Sequence, residues 1–180
     1  MSDVTRILGI DPGSRITGFG IIDSDGATTR YVSSGCIRVG AGGFPARLND
    51  IYNRIGEIVA EFAPREIAVE QVFMHRNADS ALKLGQARAA AICGTFAGGA
   101  ALYEYAAREI KQAVVGRGGA DKEQVQHMVK AILSLADMPA PDEADALAAA
   151  ICHAHSHRMK RVLAPGRRGS GRRSWRRFAG

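Results

Sequence analysis

Several carboxylates in this chain stand where a charge is costly. Asp11 closes the apolar run ILGID (7 to 11), and Glu70 lies inside EIAVEQVF (66 to 73), which otherwise reads as a central strand. Desolvating an unpaired carboxylate costs on the order of several kcal/mol, so each needs a cation, a hydrogen-bond network or a raised pKa. The stretch PDEADALAAAICHAHSH (141 to 157) places Asp142, Glu143 and Asp145 at the start of an apparent helix and His153, His155 and His157 at its end. Asp142 at or near the cap and Asp145 three residues on share a helical face, whereas Glu143 points elsewhere and reads as solvated. Singly, each acid has an ordinary explanation: an arginine partner or a turn for Asp11 and Glu70, the helix dipole and free N–H groups for acids in a first turn. Together, Asp11, Glu70, Asp142 and Asp145 form a possible set of four from two strands and a helix. All-oxygen donors select hard cations such as magnesium or manganese. Carboxylates around two such ions roughly 4 Å apart suit phosphodiester cleavage, one ion activating water and the other stabilising the leaving oxygen.

The histidines are weaker candidates. His153 and His157 are four apart and could share a zinc ion, but no third ligand stands at motif spacing beyond an isolated Cys152. His153 lies about 12 Å along the axis from Asp145, too far for one coordination sphere. The expected role of the three histidines is polar surface near a helix end. Cys36, Cys93 and Cys152 form no CxxC pair and read as small buried hydrophobes in a reducing compartment.

Elements that would carry these residues can be traced along the chain. ILGID, the turn PGS and RITGFGIID (15 to 23) read as a hairpin whose glycines permit close backbone approach. RYVSSGCIRV (30 to 39) is a third strand. PARLNDIYNRIGEIVAEFA is an amphipathic helix with Leu48, Ile51, Ile55, Ile58 and Phe62 on one stripe, Pro45 near its start and Pro64 after its end. EIAVEQVF is the fourth strand. From Asn77 to Ala101 runs a long small-residue helix capped by Asn77 or Asp79; its uncharged part, with the residues on to Tyr103, reads as buried. LYEYAA (102 to 107) is a fifth strand, followed by the helices EIKQAVV, DKEQVQHMVKAILSL and the acidic stretch itself. Hairpin strands followed by alternating strands and helices predict a five-stranded mixed sheet, antiparallel at one edge and parallel elsewhere, with helices on both faces. Acids ending parallel strands then meet at the carboxyl edge, where open α/β sheets place ligands.

The 180 residues suit one domain, and the net charge of +6 is unevenly spread. Nine of the 24 Arg and Lys residues, and none of the 18 acids, fall between Arg158 and Gly180, leaving the first 157 residues at −3. The expected division is a folded domain over 1–157 and a basic tail over 158–180, disordered when alone. Its charges, with Trp175 and Phe178 among them, suit phosphates and stacked bases; an acidic membrane would attract it too. The N-terminus lacks the pattern of a signal peptide and no stretch suits a membrane span, so a cytoplasmic protein is expected.

LGIDPGSRITGFGI, VEQVF followed by NADSALKLGQARA, YAAREIKQAVVG, KEQVQHMV and DEADALAAAICHAH together resemble the RuvC family of crossover junction endodeoxyribonucleases. The resemblance runs from about Ile7 to His157 in order and spacing. It implies a ribonuclease H-like fold and a homodimer. It also implies magnesium-dependent, symmetrical nicking of four-way Holliday junctions in recombination and repair, with two ions per site, manganese as a substitute, and 5′-phosphate and 3′-hydroxyl products. Cooperation with the branch-migration proteins RuvA and RuvB and a short thymine-centred cutting preference are implied as well. The family's metal-binding acids fall on Asp11, Glu70, Asp142 and Asp145, its junction-probing aromatic on Phe73, its lysines near the scissile phosphate on Lys111 and Lys122, and its dimer interface on the helix from Asn77. The Arg-rich tail lies outside the shared motifs.

Two other classes compete. IDPGS with Gly18 and Gly20 also resembles the first phosphate loop of actin-like and sugar-kinase ATPases, but 180 residues leave no room for their second domain and second phosphate motif. A non-catalytic DNA-binding protein would use the basic tail and leave four acids without purpose.

Overall fold

The structure is a computed structural model and describes residues 4–40, 42–71 and 77–163, with side chains of the last helix described through 156. Strands β1 (Thr5–Asp11), β2 (Ile16–Ser24) and β3 (Thr29–Arg38) form an antiparallel meander. Helix α1 (Phe44–Phe62) leads to β4 (Glu66–Glu70), which pairs parallel with β1. Helix α2 (Ala78–Thr95) and a 3-10 turn (Phe96–Gly98) lead to β5 (Ala101–Tyr105), parallel to β4. Helices α3 (Ala107–Val115), α4 (Lys122–Leu133) and α5 (Pro141–Leu163) complete the chain. Sheet order is β3-β2-β1-β4-β5, the mixed sheet that the strand pattern predicts.

Strand alternation sorts the core into two layers. Leu8, Ile10, Ile21, Ile67 and Val69 face α1 and α2, where Ile51, Ile55, Val59, Ala87 and Ala91 are buried. Ile7, Ile22 and Ala68 face the other way, toward Ile110 and Val114 of α3, Val125 and Val129 of α4, and Leu147 and Ile151 of α5. The apolar stripe expected on α1 therefore packs on the sheet, although Leu48, Ile58 and Phe62 are only partly buried.

Several boundaries differ from the sequence expectation, each for a local reason. α1 stops because Ala63 turns left-handed (φ 46°), giving its N–H to the Val59 carbonyl just before Pro64. Asn77 is the cap of α2, its Oδ1 accepting from the Ser80 N–H at 3.1 Å. That helix ends at Thr95 rather than Ala101, and Gly99 (φ 64°) turns the chain into β5. β5 ends at Tyr105 because Glu109 accepts from the Ala106 N–H at 2.9 Å and opens α3 there. β4 ends at Glu70, not Phe73, and α5 continues past residue 157 to Leu163. Among the described residues no helix is long and apolar enough to cross a membrane. Cys152 is buried as expected, but Cys36 is half-buried and Cys93 is exposed on α2, so burial does not describe all three.

Candidate active site

Strand alternation and register build the site. Ile7, Gly9 and Asp11 share the face of β1 that meets α5, as do Ala68 and Glu70 on β4. The parallel ladder pairs Gly9 with Ala68 and Ile10 with Val69, and one further step brings Asp11 beside Glu70 at the carboxyl edge. On the other side Asp11 pairs with Gly18 of β2. A Cβ on Gly18 would collide with the Asp142 carbonyl oxygen, and one on Gly9 with the Ala146 carbonyl oxygen. The close backbone approach expected of these hairpin glycines is thus the seat of α5. It holds the first turn of that helix, with Asp142 and Asp145, against the strand ends that carry Asp11 and Glu70.

The acids lie close enough to influence one another's ionisation. Burial pushes Asp11 up to about 8 from its ordinary 3.8, and the charges of Asp145, Glu70 and Asp142 push the same way while Lys122 opposes them. Glu70 is also raised, first by burial and then by Asp145, with Lys122 and Lys111 pulling it down. Lys122, at the start of α4, places its Nζ 3.1 Å from Asp145 Oδ2, and this hydrogen bond raises its own pKa. Asp121 caps that helix, accepting from the Gln124 N–H at 2.8 Å.

All four acids named from the sequence, and both lysines, therefore share one electrostatic neighbourhood. Their donor chemistry, a set of hard oxygen ligands, fits a hard divalent cation. Among the described residues, however, no three Asp, Glu, His or Cys side chains are already drawn into a closed cation cage. Asp145 is paired with the ammonium of Lys122. Phe73 lies outside the described residues.

Two readings of the last helix need correction. Glu143 is not merely solvated: its Oε2 accepts from the Ala140 N–H at 2.8 Å and its Oε1 from the Ser34 hydroxyl at 3.2 Å. It closes the N-terminus of α5 and ties it to β3, a glutamate at the third helical position reaching back to the cap. Nor is His153 polar surface. It is fully buried, 2.6 Å from the Tyr105 hydroxyl through Nδ1 and 2.7 Å from Glu66 Oε2 through Nε2, with its ring against Tyr103. With Nε2–H donated to Glu66, Nδ1 accepts from Tyr105. Burial pushes the Tyr105 hydroxyl up to about 12. Glu66 opens β4 whereas Tyr105 pairs with Glu70 at the other end of the β4–β5 ladder, so the network runs from the amino edge of β4 to a strand neighbour of the acids. Only His155 matches expectation: it is exposed, with Nδ1 3.3 Å from the Ala113 carbonyl. The side chain of His157 lies outside the described residues.

The phosphate-loop reading finds a turn closed on itself. Thr17 accepts from the Gly13 N–H at 3.3 Å and donates to the Gly13 carbonyl at 3.0 Å. That backbone N–H is engaged within the turn.

A mixed sheet in this order, with acids from its first and fourth strands meeting the start of the last helix at one edge, is a ribonuclease H-like nuclease fold. The family model described as "Crossover junction endodeoxyribonuclease RuvC" matches residues 7–153. A curated relative of that description from Marinobacter nauticus is 56% identical over 170 residues, covering 94% of this chain and 96% of the relative. One from Methylococcus capsulatus is 59% identical over 164 residues, covering 89% and 99%. Among solved structures, Thermus thermophilus RuvC in complex with a Holliday junction substrate aligns with a TM-score of 0.80 at 35% identity, covering 86% of this chain and 96% of that one. The chain belongs to the RuvC family of crossover junction endodeoxyribonucleases. Its function is Holliday junction resolution in DNA recombination and repair, and the kinase-like and purely DNA-binding readings are set aside. Nucleases of this family are metal-dependent.

Proposed function

We propose that the chain acts as a homodimer that makes paired symmetrical nicks in four-way junctions, with Asp11, Glu70, Asp142 and Asp145 holding two magnesium ions in each site. The observation that carries this is the convergence of the acids: Asp11 and Glu70 end neighbouring parallel strands, the turn of α5 that bears Asp142 is seated on Gly18 beside Asp11, and burial first, then the charges of Asp145, Glu70 and Asp142, push the Asp11 carboxyl up to about 8. Such a cluster has a use where divalent charge enters. The ions, magnesium or in substitution manganese, would supply activation of water and stabilisation of the leaving 3′-oxygen, with products bearing 5′-phosphate and 3′-hydroxyl ends. The chain's own part is positional and electrostatic. The seat of α5 on Gly9 and Gly18 aims Asp142 and Asp145 at the strand ends. Lys122 and Lys111 stand close enough to the acids to contact the scissile phosphate and offset charge developing on it. Phe73, three residues after Glu70 in the sequence, would be the aromatic that probes the junction.

Dimerisation finds support on α2 and the 3-10 turn that follows it, whose outward face carries Leu82, Gly85, Ala89, Cys93 and Phe96, with Leu82 67% and Phe96 65% exposed. An apolar stripe of this kind suits a second copy, and two sites about a two-fold axis suit a two-fold junction. The enzyme would work in the cytoplasm on the nucleoid, after branch migration by RuvA and RuvB.

The test is incubation with magnesium of a four-way junction and a linear duplex of the same sequence. Symmetric nicks in the junction alone, lost in EDTA and in Asp11→Asn, are expected. Asp11→Asn should still bind the junction, because phosphate contacts supply affinity elsewhere. Near-native cutting by Asp11→Asn would refute the assignment.

A further inference from the structure

Glu70 is the last residue of its strand, and the direction of its carboxylate depends on how that strand end is held. On one side the Gln71 N–H donates to the Tyr105 carbonyl at 2.8 Å. The Glu70 carbonyl is held from the opposite face of the sheet. Arg88, on α2, donates Nε–H to it at 3.2 Å and Nη2–H to Glu104 Oε1 at 2.5 Å. Glu104 pairs with Val69 across the β4–β5 ladder, so one guanidinium grips the ends of both strands.

Among the described arginine and lysine ion pairs the Arg88 side chain is the least exposed, 19% against 37% for Arg6, 48% for Lys83, 65% for Arg54 and 70% for Lys122, while its Glu104 partner is 41% exposed. Its contact on β4, moreover, falls on the strand-terminal residue that stands beside Asp11 at the carboxyl edge, and a fixed carbonyl there limits the backbone rotation that would turn the side chain away.

We infer that Arg88 is a positioning residue for the nuclease reaction: by holding the Glu70 carbonyl from beneath the sheet, it keeps the Glu70 carboxylate turned toward the cation site. The inference rests on the proposed ligand role of Glu70. The guanidinium is needed because its fixed fork reaches a carbonyl and a carboxylate together, whereas a single ammonium serves one well at a time. The contact also joins α2 to the catalytic edge, so that displacement of this helix is delivered to Glu70.

The test compares Arg88→Met, Arg88→Lys, Glu104→Gln and Glu70→Gln with the full-length protein. Manganese binding without DNA is read by calorimetry, urea unfolding in EDTA gives stability, and junction cleavage is followed against magnesium concentration. Arg88→Met is expected to weaken manganese binding about tenfold, as loss of a residue orienting a ligand does. Its cleavage should recover in part at high magnesium, with junction binding in EDTA unchanged. Arg88→Lys should keep its charge pairing with Glu104, and hence its stability, yet show most of the loss in manganese affinity. Glu104→Gln, which leaves the guanidinium on the carbonyl, should bind manganese nearly as the unaltered protein does. Unaltered manganese binding by Arg88→Lys, with binding weakened in Glu70→Gln, would overturn the positioning role alone. So would manganese affinity that merely tracks stability across the set, with Val59→Ala in the buried face of α1 as a destabilised control on the opposite layer of the sheet. Unaltered binding by Glu70→Gln would overturn both the ligand reading and the inference built on it.

Discussion

Replacing Asp11 by Asn should stabilise the metal-free protein while destroying its activity, and the gain should depend on pH. The Asp11 carboxyl ionises near 3.8 in an unfolded chain and near about 8 in the fold. Below pH 4 both states are protonated and the residue contributes no penalty. As pH rises from there, the unfolded chain ionises first, so native stability falls by about 1.4 kcal/mol per pH unit until about pH 8, where the loss levels off. The full four-unit interval corresponds to about 5–6 kcal/mol, and residual solvent contact and local relaxation reduce this to roughly 2–4 kcal/mol. For a chain of this size the difference is worth roughly 10 °C in Tm. Glu70, raised for similar reasons, adds a slope of the same sign that both proteins share. The assay is urea unfolding in EDTA at intervals from about pH 5 to about pH 9. Asp11→Asn should gain on the unaltered protein progressively across that range. Magnesium should recover stability at the alkaline end only where Asp11 is present. A stability difference that is the same at both ends of the range, or a variant less stable throughout, would refute the argument that Asp11 is held in a repulsive, poorly solvated pocket.

Three further predictions concern the parts that hold and surround the acids. Gly18→Ala puts a methyl group into the Asp142 carbonyl and should force back the first turn of α5, costing about 1–3 kcal/mol in urea unfolding and raising the magnesium needed for cleavage. Unchanged magnesium dependence would mean that the seat does not govern the acids. Tyr105→Phe removes the hydroxyl at His153 and should cost about 1–3 kcal/mol of stability with cleavage at saturating magnesium unaffected; a large loss of rate would join that network to the site. Truncation after Leu163 removes six arginines of the basic tail. If these meet phosphates, the slope of log affinity against log salt should become shallower by up to about 5, and an unchanged slope would make the segment a bystander.

The acids were legible because they violate a local pattern. Asp11 and Glu70 end apolar strands, and alternation alone puts each on a definite face. Asp142 and Asp145 share a helical side that any helix would give them. What could not be read depends on partners far away in the chain. His153 looks like terminal polarity until Tyr105, 48 residues away, and Glu66, 87 residues away, close on its two nitrogens. Glu143 reads as solvated because Ser34 is 109 residues distant. Arg88 carries no signal at all, since an arginine on a helix is commonplace and its acceptor is a backbone carbonyl. Boundaries slipped for a different reason. Ala63 adopts a left-handed conformation, and no glycine marks the end of α1. The stop of β4 at Glu70 follows from where pairing ends, not from residue preference.

The composition of α5 explains how strands and helix can share one site. Ala144, Ala146, Ala148, Ala149 and Ala150 are all fully buried, and the helix lies on Gly9, Gly18 and Gly20 of the hairpin. Small residues on both sides bring helix and sheet close enough for carboxylates from each to feel one another; larger ones would separate them and relieve the repulsion. The fold then offsets that repulsion in three ways: a proton on Asp11, the ammonium of Lys122 on Asp145, and the positive N-terminal end of α5 beside Asp142. The first two are exchangeable and the third is fixed. A divalent cation held by these acids would therefore compete with the proton on Asp11 and with Lys122 for Asp145, leaving that ammonium available to a phosphate, while the helix end beside Asp142 stays in place.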